Sequence, residues 1–402
     1  MVSNTAAINK GLSPRTNMNW TRLAWASLAL YAWASVLTGA NLPEIMSTFG
    51  LNSSLAGFLV SVPAIGFISA GLAGGLLSRR IGLQRLLALS ASGLTLSLLL
   101  AAISPSSSIL FLAALFIGFF GGMLETGSNG LVADLYRGNA ARELNRLHIF
   151  FSTGAFISPL VVTTLLASKI SWRFSYTVAS FMAILLTTIL VLQPKFSSSK
   201  SDPIHLQEFA RLARNPRIAL AWLGAFLFVA SELGFSNWIV TYFRHKAGFT
   251  PELASLGLSI FWLAILLGRY INTRLPHISK DQYVIVFEAF GSSLFLLLVL
   301  YFQNIVLSIL ALIMVGLFMA GLLPWLLAHA SEHNPGNAGS IVGFVQTGVG
   351  TGMLVGPAVI GVLAQATNLS VSMGITVVLI FSLGLIFSWP DKGIAASSSL
   401  GN

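Results

Sequence analysis

Cysteine is missing from this chain, so neither a disulfide nor a thiolate metal site can form. Charge is scarce as well. Asp, Glu, Lys and Arg make up 8% of the 402 residues, against about 25% in a soluble domain. The sequence holds no GxxxxGK(S/T) loop, no HExxH helix and no nucleophile elbow with its partners. Those absences remove the phosphate cradle, the zinc-activated water and the activated serine from consideration. The chain reads as a non-enzyme without cofactor or metal, and any vectorial work would draw on an ion or solute gradient.

What is present is apolar sequence, 55% of the chain. Twelve helices of roughly 20–25 residues with short loops would use up the length. Apolar runs predict spans at about 20–46, 53–77, 84–103, 108–132, 146–167 and 173–193, then 216–243, 252–272, 282–302, 304–329, 338–365 and 369–389. The first 19 residues are too polar for a secretory apolar core, so the first run should remain as a span. The expected division is a six-helix bundle over 1–193, a cytoplasmic linker over 194–215 and a second six-helix bundle over 216–402.

The net charge of +10 does not call for nucleic acid, because the cations are sorted by side. With the N-terminus in the cytoplasm, 18 Lys and Arg fall on the cytoplasmic side. Lys169, Arg173, Arg244 and Lys246 are the 4 on the other. This is the positive-inside asymmetry, with both termini inside. It places the protein in the plasma (inner) membrane as a multi-pass protein, expected to be a monomer.

The halves resemble each other. Phe49-Gly50-Leu51-Asn52 leaves the first span as Ala247-Gly248-Phe249-Thr250 leaves the seventh. Gly154 and Pro159 in the fifth span match Gly352 and Pro357 in the eleventh. The expected class is an all-α membrane protein of two pseudo-symmetric six-helix bundles around a midplane cavity.

Of twelve acidic residues, three fall inside spans: Glu125, Glu232 and Glu288. On this reading no Lys or Arg lies at mid-membrane to pair with them. A carboxyl at that depth costs several kcal/mol unless it faces protein or a wet cavity. Without a counter-charge the neutral form is favoured, which is the requirement for a group that takes up and releases a coupling proton. Glu125 lies in GGMLETGSNGLVAD with Asn129 four residues on, on one helical face. Thr126, Ser128 and Asn129 could instead join Glu125 around Na⁺. Glu232 has Asn237 and Trp238 nearby. Glu288 lies about seven residues into its span and makes the weakest case.

Tyr31, Trp33, Trp238, Trp262 and Trp325 lie within spans. Aromatic faces among amides and carboxyls line sites for polyhydroxylated solutes, although any one of them can equally be packing. Trp20 and Trp389, at span ends, read as interfacial belt. Asn41, Asn145, His148 and Gln346 are further polar candidates, and His148 could hydrogen-bond Glu125 from the adjacent helix.

These residues carry a resemblance. Over nearly its whole length the chain resembles the major facilitator superfamily and, within it, the fucose–proton symporter family of sugar permeases. Leu124-Glu125-Thr126 with Asn129 is similar to that family's L-E-T-x-x-N, whose glutamate is implicated in proton coupling. Asn145 and His148, followed by Gly154-Ala155 and Pro159, resemble its N-x-x-H…G-A…P. Glu232, Trp238 and Tyr242 resemble its seventh-helix signature, and Phe261-Trp262 with Gly268-Arg269 its eighth. Two positions depart: Arg79 stands where the superfamily's loop has aspartate, and no acid precedes Pro43 in the first helix. The resemblance implies the major facilitator fold and a proton-coupled permease for a small polar solute, a sugar, with H⁺ before Na⁺ as coupling ion. Glu125 and Glu232 would couple protons or bind substrate. Asn129, Asn237, Trp238, His148, Asn41, Gln346, Trp262 and Trp325 would line the cavity. The alternatives are an efflux antiporter for amphipathic compounds and a ligand sensor that does not transport.

Overall fold

The structure, a computed structural model, describes residues 14–136, 140–193, 211–245, 249–274, 282–332 and 338–389. Most of the expected linker, both chain ends and Lys246 lie outside the described residues, as does the side chain of Arg79. The first half holds α1 (Pro14–Ala40), α2 (Leu42–Phe49), α3 (Ser53–Ile81), α4 (Leu83–Ala102), α5 (Ser107–Leu135), α6 (Ala140–Ala167) and α7 (Arg173–Leu192). The second holds α8 (Pro216–Arg244), α9 (Pro251–Arg274), α10 (Gln282–Tyr301), α11 (Ile305–Met319), α12 (Leu322–Glu332), α13 (Ala338–Ala366) and α14 (Leu369–Ser388). They supply 12 segments long and apolar enough to cross a membrane.

Helix starts follow from asparagine. The side-chain oxygens of Asn52, Asn304 and Asn368 accept from the backbone N–H of Leu55, Leu307 and Val371 at 2.9, 3.1 and 2.9 Å. Each bond satisfies a donor that the first helical turn leaves free, which matters most next to lipid.

Two expected helices are broken. The run over 20–46 divides at Asn41 into α1 and α2, because Pro43 has no N–H to return to the carbonyl four residues back. The run over 304–329 divides between Met319 and Leu322, where Pro324 withholds its N–H in the same way. Trp20 is fully buried and so is a core residue, not the belt residue its position suggests.

The bundles are pseudo-symmetric. α1 packs on α6 as α8 packs on α13, α3 on α5 as α9 on α11, and α4 on α7 as α10 on α14. Glycine sets how closely these pairs approach. A Cβ on Gly154 would lie 1.9 Å from the Ala29 carbonyl oxygen across the α1–α6 contact. One on Gly352, its counterpart, would lie 2.7 Å from the Phe226 oxygen across α8–α13. The bundles meet along α3–α13 and α6–α9. At the first crossing a Cβ on Gly57 would stand 2.9 Å from the Cα of Gly361, so the two backbones touch directly. Leu96, Leu192 and Phe287 are among the large apolar side chains that point outward, as a lipid-facing surface requires. We call the side where α3, α5 and α9 end the basic face.

Candidate functional site

A cavity of about 110 Å³ lies between the bundles. Glu125 enters it from α5 and Glu232 from α8. They are 8% and 6% exposed, so each is screened from bulk water while open to the cavity. One carboxylate oxygen of Glu232 is buried without a hydrogen-bond partner. Glu125 sits where α5 runs close against α1. A Cβ on Gly121 would fall 2.2 Å from the Tyr31 ring, so only glycine lets that ring lie flat on α5.

Tyr31 opens an aromatic wall. It stacks on Phe67 at 6.3 Å and meets Phe151 edge-on at 6.2 Å. Phe151 in turn meets Trp262 of the other bundle at 6.1 Å. The wall therefore crosses from one bundle to the other, and the Trp262 indole N–H is left without a partner. Ser35, Asn237, Ser236 and Gln346 add to the polar lining. The Asn237 amide donates to the Leu233 carbonyl at 2.8 Å.

The cavity also holds a cation, which corrects the expectation that none lies among the spans. Arg269 reads from the sequence as a charge near a cytoplasmic helix end. α9 continues to Arg274 and turns Arg269 inward. Its Nη1 donates to Ser152 Oγ at 2.8 Å and to the His148 carbonyl at 3.3 Å. Its Nε is buried without a partner. The spacing held the signal: Trp262 and Arg269 are seven apart, two helical turns, and so share a face.

Glu125, Glu232, His148, Asn237, Trp262 and Gln346 come together around this cavity. Four expected lining residues do not. Trp238 is fully buried and its indole donates to the Pro357 carbonyl at 3.0 Å, tying α8 to α13. Six residues beyond Glu232, it falls on another face of the helix. Asn41 is buried inside the first bundle, donating to Leu37 O at 2.9 Å and Ser175 Oγ at 3.0 Å. Trp325 stacks on His329 at 4.6 Å and packs edge-on against Phe387. Asn129 lies one turn past Glu125, outside the lining, with its side-chain oxygen buried and unpartnered. His148 shares the cavity with Glu125, and among the described residues no hydrogen bond joins them. Glu288 stands apart from the cavity, with the Asn272 amide 3.5 Å away and the α11–α12 break at Gly321 against it. Trp238→Phe is expected to lower stability by about 1 kcal/mol through the lost hydrogen bond and to leave ligand affinity unchanged. Thermal unfolding with and without ligand measures both.

Opposite the basic face the bundles are tied together. Arg244 pairs with Glu44. The Ser53 N–H donates to Gln365 Oε1 at 3.2 Å, and Ser255 Oγ donates to the Pro159 carbonyl at 3.0 Å. Arg269 is a further tie, from α9 to α6.

The sequence model described as the Major Facilitator Superfamily matches residues 24–341. An uncharacterised MFS-type transporter of Yersinia pestis is 24% identical over 381 residues, covering 94% of this chain and 96% of its own. The sodium-dependent glucose transporter 1 of Homo sapiens is 24% identical over 370 residues, 81% of this chain and 70% of that protein. A crystal structure of a variant of the E. coli fucose:proton symporter shares the fold, with a TM-score of 0.65 at 19% identity over 93% of this chain and 99% of the other.

Proposed function

Since the chain belongs to the Major Facilitator Superfamily and is a multi-pass membrane transporter of a small molecule, we propose that it carries a sugar by alternating access, coupled to protons. One observation supports this most. Two carboxyls, Glu125 and Glu232, reach a single aromatic-walled cavity from opposite bundles. Aromatic faces suit the C–H face of a sugar ring, and amides and hydroxyls suit its hydroxyls. Protons taken up with the solute, one at each carboxyl, neutralise the pair and lower the cost of carrying them between faces.

In this reading the basic face is cytoplasmic, the membrane is the plasma (inner) membrane, and one chain of two bundles divided near 194–215 is the working unit. The names of the relatives lend support: one is a fucose:proton symporter and one a sodium-dependent glucose transporter. The second name keeps Na⁺ as the alternative ion. Proteoliposomes test the reading. A proton gradient should drive sugar accumulation in the absence of Na⁺. Accumulation driven only by Na⁺ would replace the ion, and proton-driven extrusion of amphiphiles would replace the reading.

The ties opposite the basic face act as that side's closure. Arg244→Gln removes the Glu44 pair, and it should expose the outer half of the cavity. Because the native chain has no cysteine, a single Val60→Cys on the cavity wall reports this without background. Its labelling by a membrane-impermeant maleimide should rise several-fold with Arg244→Gln. Unchanged labelling would show that the pair does not hold the closure.

A further inference from the structure

The charged and titratable groups facing the cavity can be taken helix by helix. α1 gives Tyr31, α5 Glu125, α6 His148, α8 Glu232 and α9 Arg269, while α3, α12 and α13 give apolar groups and Gln346. Arg269 is the one fixed charge, since arginine stays protonated where carboxyls and histidine can be neutral. Its present partners, Ser152 Oγ and the His148 carbonyl, are uncharged. Among the described residues no carboxylate lies within ion-pair distance of it. The Nε is buried and unpartnered, and Nε with Nη2 is the edge of the guanidinium that grips a carboxylate through two parallel hydrogen bonds.

We propose that the transported sugar bears a carboxylate and that Arg269 receives it. The inference rests on the proton-coupled sugar reading above and names the chemical class of its solute. Glu232 is the carboxyl whose charge acts on Arg269 within the cavity. Once Glu125 and Glu232 have each taken up a proton with the solute, a neutral sugar leaves Arg269 uncompensated in low dielectric. A monoanion brings the loaded cavity to zero net charge, the state that moves between faces at least electrostatic cost.

A second, independent feature has the same sign. Opposite the basic face a pocket of about 360 Å³ is lined by Lys169, Arg244, Glu44, Thr48 and Trp172. Arg173 stands over the Trp172 ring at 4.6 Å. Glu44 is committed to Arg244, and among the described residues no carboxylate lies within ion-pair distance of Lys169. With Arg244 offset by Glu44, Lys169 in the pocket and Arg173 beside it leave this side of the bundles net positive, which favours the approach of an anion.

Purified protein is titrated with glucose and glucuronate, galactose and galacturonate, and glucose 6-phosphate, reading the shift in thermal unfolding midpoint. Each uronate is expected to bind at least about 10-fold more tightly than its parent hexose, the usual scale of a charge-assisted bidentate contact. Arg269→Gln should erase that preference, whereas Arg269→Lys, which keeps the charge and loses the fork, should retain part of it. Equal or tighter binding of the parent hexoses to wild-type protein overturns the carboxylate and leaves the sugar reading standing. Tighter binding of the phosphate overturns the monocarboxylate assignment. Protection by none of these compounds overturns both readings. The wild-type comparison holds even if Arg269→Gln fails to fold.

Discussion

Glu125→Gln should reduce proton-driven uptake to the level of empty liposomes and leave the protein folded. Glutamine has the shape and hydrogen-bonding surface of a protonated glutamic acid, so the variant imitates the loaded state and cannot leave it. The residue is buried, and no ion pair among the described residues holds its carboxylate. Removing the charge therefore breaks no salt bridge, and the unfolding midpoint should stay within a few degrees of wild type. Exchange of labelled for unlabelled solute across the membrane needs no deprotonation, so it should persist. That contrast separates a coupling residue from one that only binds. Undiminished uptake under a proton gradient would sink the role. Loss of exchange together with uptake would move Glu125 into substrate binding instead.

The second large effect is on folding. Gly154 is the point where α6 meets the backbone of α1, and its missing Cβ would lie 1.9 Å from the Ala29 oxygen. No rotamer change can relieve a clash between a Cβ and a carbonyl. The helices must separate, and both of them line the cavity. Gly154→Ala should cost about 1–3 kcal/mol, the range for forced overpacking, and Gly154→Leu should abolish the monodisperse protein. Gly71 is the control, because a Cβ there meets nothing within 4 Å. Gly71→Ala should be neutral or slightly stabilising. Size-exclusion profiles and unfolding midpoints of the three variants decide the matter. Equal behaviour of Gly154→Ala and Gly71→Ala would show that the α1–α6 contact tolerates expansion.

The spans were legible because hydropathy and the sorting of cations depend on composition, which bilayer thickness constrains strongly. The two breaks were not. Apolar residues continue through Pro324, and Asn41 and Glu44 beside Pro43 read as the polar end of a span; hydropathy does not register a missing N–H. Glu125 and Glu232 stood out because a carboxyl in an apolar run has few explanations. Arg269 was hidden for the opposite reason: an arginine near a helix end extends to the interface by default, and only the full length of α9 shows that it cannot. Trp238 misled through proximity in sequence, since six residues along a helix carry a side chain to a different face. Asn41 suggests the cavity by its polarity alone, but its amide N–H groups are taken up by Leu37 and Ser175 inside the first bundle.

The crossing of Gly57 and Gly361 bears on the kinetics of transport. Interlocked side chains confine a pair of helices to a few preferred angles, because each knob must leave its hole before the next angle is reached. Two bare backbones present neither knob nor hole. The angle between α3 and α13 can then vary with little change in contact energy, like a smooth bearing between surfaces that are toothed elsewhere. The barrier to exchanging open faces would then lie in the polar ties: Glu44 with Arg244, Ser53 with Gln365 one turn from the crossing, and Arg269 with α6. A bulky residue at Gly57 would slow turnover without touching the solute.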